Sequence, residues 1–127
     1  MSDLNAIHNR VVWFDLPVVE LDRAVDFYQH VLAIKVSKEK YENFEFAILE
    51  HDEGNGGCLV PGKTPGDENE GILIYLNVNG RLENAVAQVD KFGGKMIEPI
   101  HAIGPHGFRA LVRDSEGNRV ALHSETN

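Results

Sequence analysis

Asp114-Ser115-Glu116-Gly117-Asn118-Arg119-Val120-Ala121-Leu122-His123-Ser124, near the end of a chain of 127 residues, is the stretch from which the rest can be read. Asp-Ser-Glu-Gly-Asn is a run of turn formers: glycine supplies a positive φ, and Asp and Asn side chains bond the nearby backbone. Strand-like sequence flanks it, Phe108 to Arg113 before and Arg119 to His123 after. The reading is a β-hairpin, with Ala121 and His123 on one face and Val120 and Leu122 on the other.

Working outward, an earlier part of the chain contains a worn copy of the same series. Val11 to Val18 reads as a strand, almost continuously apolar except for Asp15. From Leu21 to Leu32, Leu21, Ala24, Val25, Tyr28, Val31 and Leu32 fall at helical spacing. Short strands are expected at Ala33 to Lys38, Phe44 to Glu50 and Cys58 to Val60, with a turn at 51–57. Residues 62–70 have linker composition and no hydrophobic residue. The series then restarts: a strand at 72–78, a helix at 82–92 with Phe92 on its apolar face and Gly93-Gly94 behind it, and a strand at 95–97. A loop from Pro99 to Gly107 leads into the closing hairpin.

The halves also correspond residue by residue. Leu21-Asp22-Arg23-Ala24-Val25 matches Leu82-Glu83-Asn84-Ala85-Val86, and Glu53-Gly54-Asn55 matches Glu116-Gly117-Asn118. Each half is β-α-β-β-β, and neither alone buries both faces of a sheet.

With those residues in view, the chain resembles the vicinal oxygen chelate superfamily, which includes glyoxalases, bleomycin-resistance proteins, extradiol dioxygenases and epimerases. The resemblance rests on the paired βαβββ modules, on Leu21-Asp22-Arg23-Ala24 followed by Phe27-Tyr28, on Gly93-Gly94, and on the Asp114 to Asn118 turn. It covers roughly residues 10 to 124 and implies an α+β fold. In that fold two βαβββ modules form a cupped, half-open mixed sheet with the helices on the outside, and a ligand lies in the cup. The expected organisation is a single domain, 1–127, with module one at about 10–61 and module two at about 71–124. Many members of this length are homodimers, so a homodimer is expected.

Metal-using members place His or Glu at four inward positions, two per module. Carried over onto this sequence, those positions fall on Trp13, Cys58, Leu73 and Ala121. Three of the four side chains cannot ligate a metal, and a lone Cys58 cannot hold one. A register slip of two residues brings in Asp15, Tyr75 and His123, still a poor site. The expectation is no metal and no other cofactor.

Period-two alternation assigns Asp15, Phe46, Ile48, Tyr75, Asn77, Arg109, Leu111 and His123 to the inward face. Trp13, Asp15, Phe46, Tyr75, Arg109 and His123 are thus the expected ligand-binding set. The aromatic rings offer stacking area and Arg109 an anion contact. Asp15 and His123 are the weak candidates for acid/base catalysis. Plain alternatives stand beside these: Asp15 and Arg109 pairing with each other, His123 as a surface histidine, Trp13 as cup wall, and Cys58 as a small buried apolar residue. His8, His30, His51, His101 and His106 fall in expected loops or on a helix surface. The His101 to Gly107 stretch is either a lid or a plain connection between strands.

Bulk properties narrow the function classes. A net charge of −8 without a Lys/Arg cluster argues against nucleic acid. The absence of a long apolar run argues against a membrane partner, and one cysteine suits a reducing compartment, so a cytoplasmic location is expected. Three functions remain open. One is a metal-independent binder of a small organic molecule. The second is a lactoylglutathione-lyase-like lyase or isomerase acting on a small carbonyl compound. The third is an accessory module whose cup is filled by its own side chains.

Overall fold

Strand β1 forms where the first apolar run predicts it, at Val11–Val18, and helix α1 follows at Leu21–Leu32. The computed structural model describes residues 9–61 and 71–127. The expected linker at 62–70 and the polar residues up to 8 lie outside them. The order continues with β2 (Val36–Tyr41), β3 (Phe44–Leu49), β4 (Gly56–Pro61), β5 (Leu73–Asn77), α2 (Leu82–Val89), β6 (Lys95–Ala102), β7 (Phe108–Arg113) and β8 (Arg119–Ser124). The fold is α+β, with the β-α-β-β-β series present twice. Among the described residues no helix is long and apolar enough to cross a membrane.

The chain divides into two compact units. Module one is Trp13–Leu73, and module two joins Ile74–Asn127 to the residues up to Val12. In module one the strand order is β2-β3-β4-β1, with β1 and β4 parallel and the other neighbours antiparallel. Helix α1 lays Leu21, Ala24, Val25 and Tyr28 on the face that carries Val18, Ala47, Leu49 and Leu59. In module two the order is β5-β8-β7-β6, with β5 and β8 parallel. Helix α2 covers Ala110, Val112 and Leu122 with Leu82 and Ala85. Arg10 joins this module through the backbone: Asn77 N–H donates to the Arg10 carbonyl at 2.7 Å.

Several boundaries differ from expectation. Val31 is 60% exposed and Phe92 73% exposed, although both sit at helical core spacing. Each lies in the last turn of its helical stretch, and α2 itself ends at Val89, with residues 90–92 tightening into a 3-10 turn. Gly93, at φ 97, then closes that turn as expected. Strand β2 starts at Val36, because Ala33 caps α1 in the left-handed region. Strand β4 starts at Gly56, two residues before Cys58, where only hydrogen fits against the His51 ring. Strand β6 runs on through Pro99 to Ala102, so the expected loop shrinks to residues 103–107. Two register shifts in β6, either side of Glu98, accommodate Pro99, which has no N–H for a regular ladder.

The opening hairpin is held by one carboxylate. Asp114 Oδ1 accepts from the backbone N–H of Glu116 (2.8 Å) and of Asn118 (2.9 Å), and Oδ2 accepts from Asn118 Nδ2 (2.9 Å). These bonds, the Asn118 side chain first, hold the Asp114 carboxyl below its ordinary value. Gly117, at φ 92, turns the chain between them.

Two outcomes follow. Ala33 sits at φ 55, so A33G should raise stability by about 0.5–1 kcal/mol, read as a higher urea midpoint with unchanged m-value. Asp114 contributes its full stabilisation above the ordinary carboxylate range and loses it as pH falls through the lowered native value. The stability gap between wild type and D114N should therefore hold steady near neutrality and close in acid. A gap that widens on acidification would contradict the hairpin's account.

Candidate functional site

With Ala110, Val112 and Leu122 facing α2, alternation turns their neighbours to the opposite face of the module-two sheet. Cross-strand pairing lines those neighbours up in rows. Asn77 on β5 pairs with His123 on β8, His123 with Arg109 on β7, and Arg109 with His101 on β6. The adjacent row is Tyr75, Ala121, Leu111 and Glu98. A polar row of four therefore lies beside a row whose middle is the buried pair Ala121 and Leu111.

Hydrogen bonds hold Arg109 to Tyr75 and His101 and orient the two histidine rings. Arg109 NH1 donates to the Tyr75 hydroxyl at 2.6 Å, and its Cζ stands 5.8 Å from the centroid of that ring. Arg109 Nε donates to His101 Nε2 at 3.0 Å. His101 Nδ1 lies 2.9 Å from the Pro99 carbonyl, which can only accept, so Nδ1 carries the proton and Nε2 the lone pair. The two contacts of His101 thus require one and the same neutral tautomer. His123 is the mirror case. Its Nε2 lies 2.7 Å from the His106 carbonyl, so Nε2 carries a proton, and in the neutral ring the lone pair falls on Nδ1. Its ring is tilted against Tyr75 at 6.2 Å.

The 103–107 connection is a closed turn fastened to β8 by this histidine. Ile103 N–H donates to the Gly107 carbonyl at 2.9 Å, and Gly107 sits at φ 92 against the Ser124 carbonyl, where a Cβ has no room.

Module one carries the rest of the expected set. Asp15 is half-buried, directly across from Cys58 in the β1/β4 register, and its Oδ1 accepts from the Cys58 thiol at 3.2 Å. Trp13 stands opposite Gly56 and meets the His51 ring edge-on at 5.9 Å. His51 Nδ1 in turn donates to the carbonyls of Gly54 (2.9 Å) and Asp52 (3.0 Å), doing for this turn what Asp114 does for the other. Phe46 stacks on Phe44, with centroids 5.9 Å apart. The structure therefore brings Tyr75, Arg109 and His123 together in module two, and Asp15 together with Cys58 in module one. The register pairs Cys58 with Asp15 and Ala121 with Tyr75, each two residues along from Trp13 and Leu73.

The two modules, their strand orders and this face now bear comparison with known proteins. A family profile described as the Glyoxalase/Bleomycin resistance protein/Dioxygenase superfamily matches residues 10–122. The chain belongs to that superfamily. A glyoxylase-like domain-containing protein of Didymella fabae is 26% identical over 127 residues, covering 91% of this chain and 94% of the relative. A hypothetical protein from Bacillus halodurans C-125 superposes with a TM-score of 0.70 at 20% identity, over 94% of this chain and 96% of that one. The Mn(II)-bound glyoxalase of Novosphingobium aromaticivorans gives 0.68 at 17% identity, over 91% of this chain and 38% of its own. Methylmalonyl-CoA epimerase from Mycobacterium tuberculosis gives 0.64 at 16%, over 91% and 87%. At these identities the structural likeness establishes the fold alone.

Sequence reasoning missed His101, which it placed in a loop. Only Ile100-His101-Ala102 alternates, and Pro99 just before it reads as a strand breaker unless a bulge is foreseen. The tautomers give a direct check. Long-range ¹H–¹⁵N spectra should show His101 protonated on Nδ1 and His123 on Nε2 at neutral pH. The reverse pattern at either ring would break the corresponding bond assignment.

Proposed function

We propose that this superfamily member binds a small organic molecule carrying an anionic group, on the module-two face around Arg109, without a resident metal ion. One observation carries the reading. The Arg109 guanidinium is held at two points, by Tyr75 and by His101, on a sheet face that also presents Tyr75 and His123 rings. A guanidinium so oriented recognises a planar anion such as a carboxylate, and flat rings beside it suit an aromatic or conjugated body.

The donor set argues for the metal-free half of the reading. Trp13, Leu73 and Ala121 bring no ligand atom to the superfamily's metal positions, and the Cys58 thiol directs its proton to Asp15. Taking the register pairs instead adds Asp15, whose Oδ1 accepts from the Cys58 thiol, and Tyr75, whose oxygen accepts from a guanidinium, a neighbour that repels a divalent cation. Mechanistically the chain's own groups orient a ligand: Arg109 meets its charge and Tyr75 its flat surface.

A second reading, a glyoxalase-type lyase or isomerase acting on a small carbonyl compound, is favoured by His123. Its Nε2–H is committed to the His106 carbonyl, which makes Nδ1 the basic nitrogen, the arrangement of an oriented general base.

Thermal-shift and NMR titrations with small aromatic carboxylates test the first reading. Wild type should respond, and R109L should lose at least about tenfold in affinity. An unresponsive wild type would favour a module filled by its own side chains. Elemental analysis showing a stoichiometric divalent ion would overturn the metal-free assignment. Turnover of a small carbonyl substrate that H123N abolishes would establish the second reading in its place.

A further inference from the structure

We propose that His101 is a positioning residue, which fixes the direction in which Arg109 presents its guanidinium, and that the two bulges of β6 place it there. The inference rests on the reading of Arg109 as the ligand's anion contact.

The strand register carries the first part. Lys95 pairs with Arg113 and Met96 with Val112, an ordinary antiparallel start. Continued without interruption, that register would set Pro99 across from Arg109, and proline offers neither an N–H nor a polar side chain. The register instead shifts between Met96 and Glu98, and again between Glu98 and His101. Two extra residues are absorbed, and His101 arrives opposite Arg109. Bulges of this kind re-aim a side chain beside a functional site.

The hydrogen bonds carry the second part. Pro99, the residue the bulges displace, turns its carbonyl to His101 Nδ1 at 2.9 Å. That bond sets the tautomer and so leaves a lone pair on Nε2, the atom that Arg109 Nε meets at 3.0 Å. Arg109 NH1 is fixed separately by the Tyr75 hydroxyl at 2.6 Å. With Nε and NH1 each bonded and Cδ tethered to the backbone, the plane of the guanidinium and the direction of its fork are set. His101 supplies the point at Nε, and its loss removes that constraint on the guanidinium. Glu98 Oε1 lies 3.8 Å from His101 Nε2. His101 is half-buried at the edge strand, so its replacement leaves the α2-facing core untouched.

Two variants separate orientation from packing. H101F keeps a flat ring and removes the acceptor, whereas H101Q returns an acceptor at similar reach. The first readout needs no ligand: the Arg109 Nε–H resonance and its hydrogen exchange, measured by ¹H–¹⁵N NMR. It should be protected in wild type and H101Q and exchange at least about tenfold faster in H101F. The second readout is the affinity for benzoate against that for its neutral analogue benzamide. H101F should weaken benzoate about tenfold and leave benzamide unchanged, and H101Q should stay within about threefold of wild type. Unchanged exchange and unchanged benzoate affinity in H101F would overturn the proposal, as would equal losses in H101F and H101Q. Faster exchange in H101F alongside a wild type that ignores benzoate would uphold the orientation and sink the anionic-ligand reading instead.

Discussion

In each module the first strand and the last lie side by side and run parallel, β1 with β4 and β5 with β8. Parallel neighbours cannot be joined by a tight turn, so the helix and two further strands must be spent on the crossover between them. That one constraint arranges much of the rest. It lays the helix across one face of the sheet, where α1 and α2 bury their leucines and alanines. It therefore leaves the other face to the alternate residues, and these are the ones with chemistry: Asp15 and Cys58 in one module, Tyr75, Arg109 and His123 in the other.

The same architecture is furnished differently in the two modules. The turn before the last strand is held by a ring nitrogen of His51 in module one and by the carboxylate of Asp114 in module two. At the paired positions module one has an acid and a thiol, bonded to each other at 3.2 Å. Module two has a tyrosine over an alanine, and the tyrosine hydroxyl reaches a guanidinium instead. Duplicated backbones with divergent side chains are how one fold hosts many activities. Here the divergence sets an acid bonded to a thiol in one module against a tyrosine bonded to a guanidinium in the other.

Much of the fold was legible because its signals are local. The Asp114 to Asn118 turn, the span of α1 and the glycine after α2 each depend on a few neighbouring residues, and each appeared where expected. The alternation that put Tyr75, Arg109 and His123 on one face is equally local and held in the β5, β7 and β8 registers. Val31 and Phe92 were misplaced because periodicity says which side of a helix is apolar, not how far the sheet beneath it extends. His101 was misplaced because a proline two residues upstream looks like the end of a strand, and only the opposing strand can show that it is a bulge.

By itself, then, the sequence determined the order of elements, their repetition, the apolar face of each and the residue types at the superfamily's metal positions. Those properties depend on neighbours along the chain, through turn chemistry and side-chain period. The tertiary structure decided which side chains meet. It brought His101 across from Arg109 by a doubled register shift, assigned the protons on His101 and His123 through carbonyls that can only accept, and set Arg109 against Tyr75 across 34 residues of chain. Register between strands and the direction of a hydrogen bond are properties of pairs distant in sequence, and no local pattern encodes them.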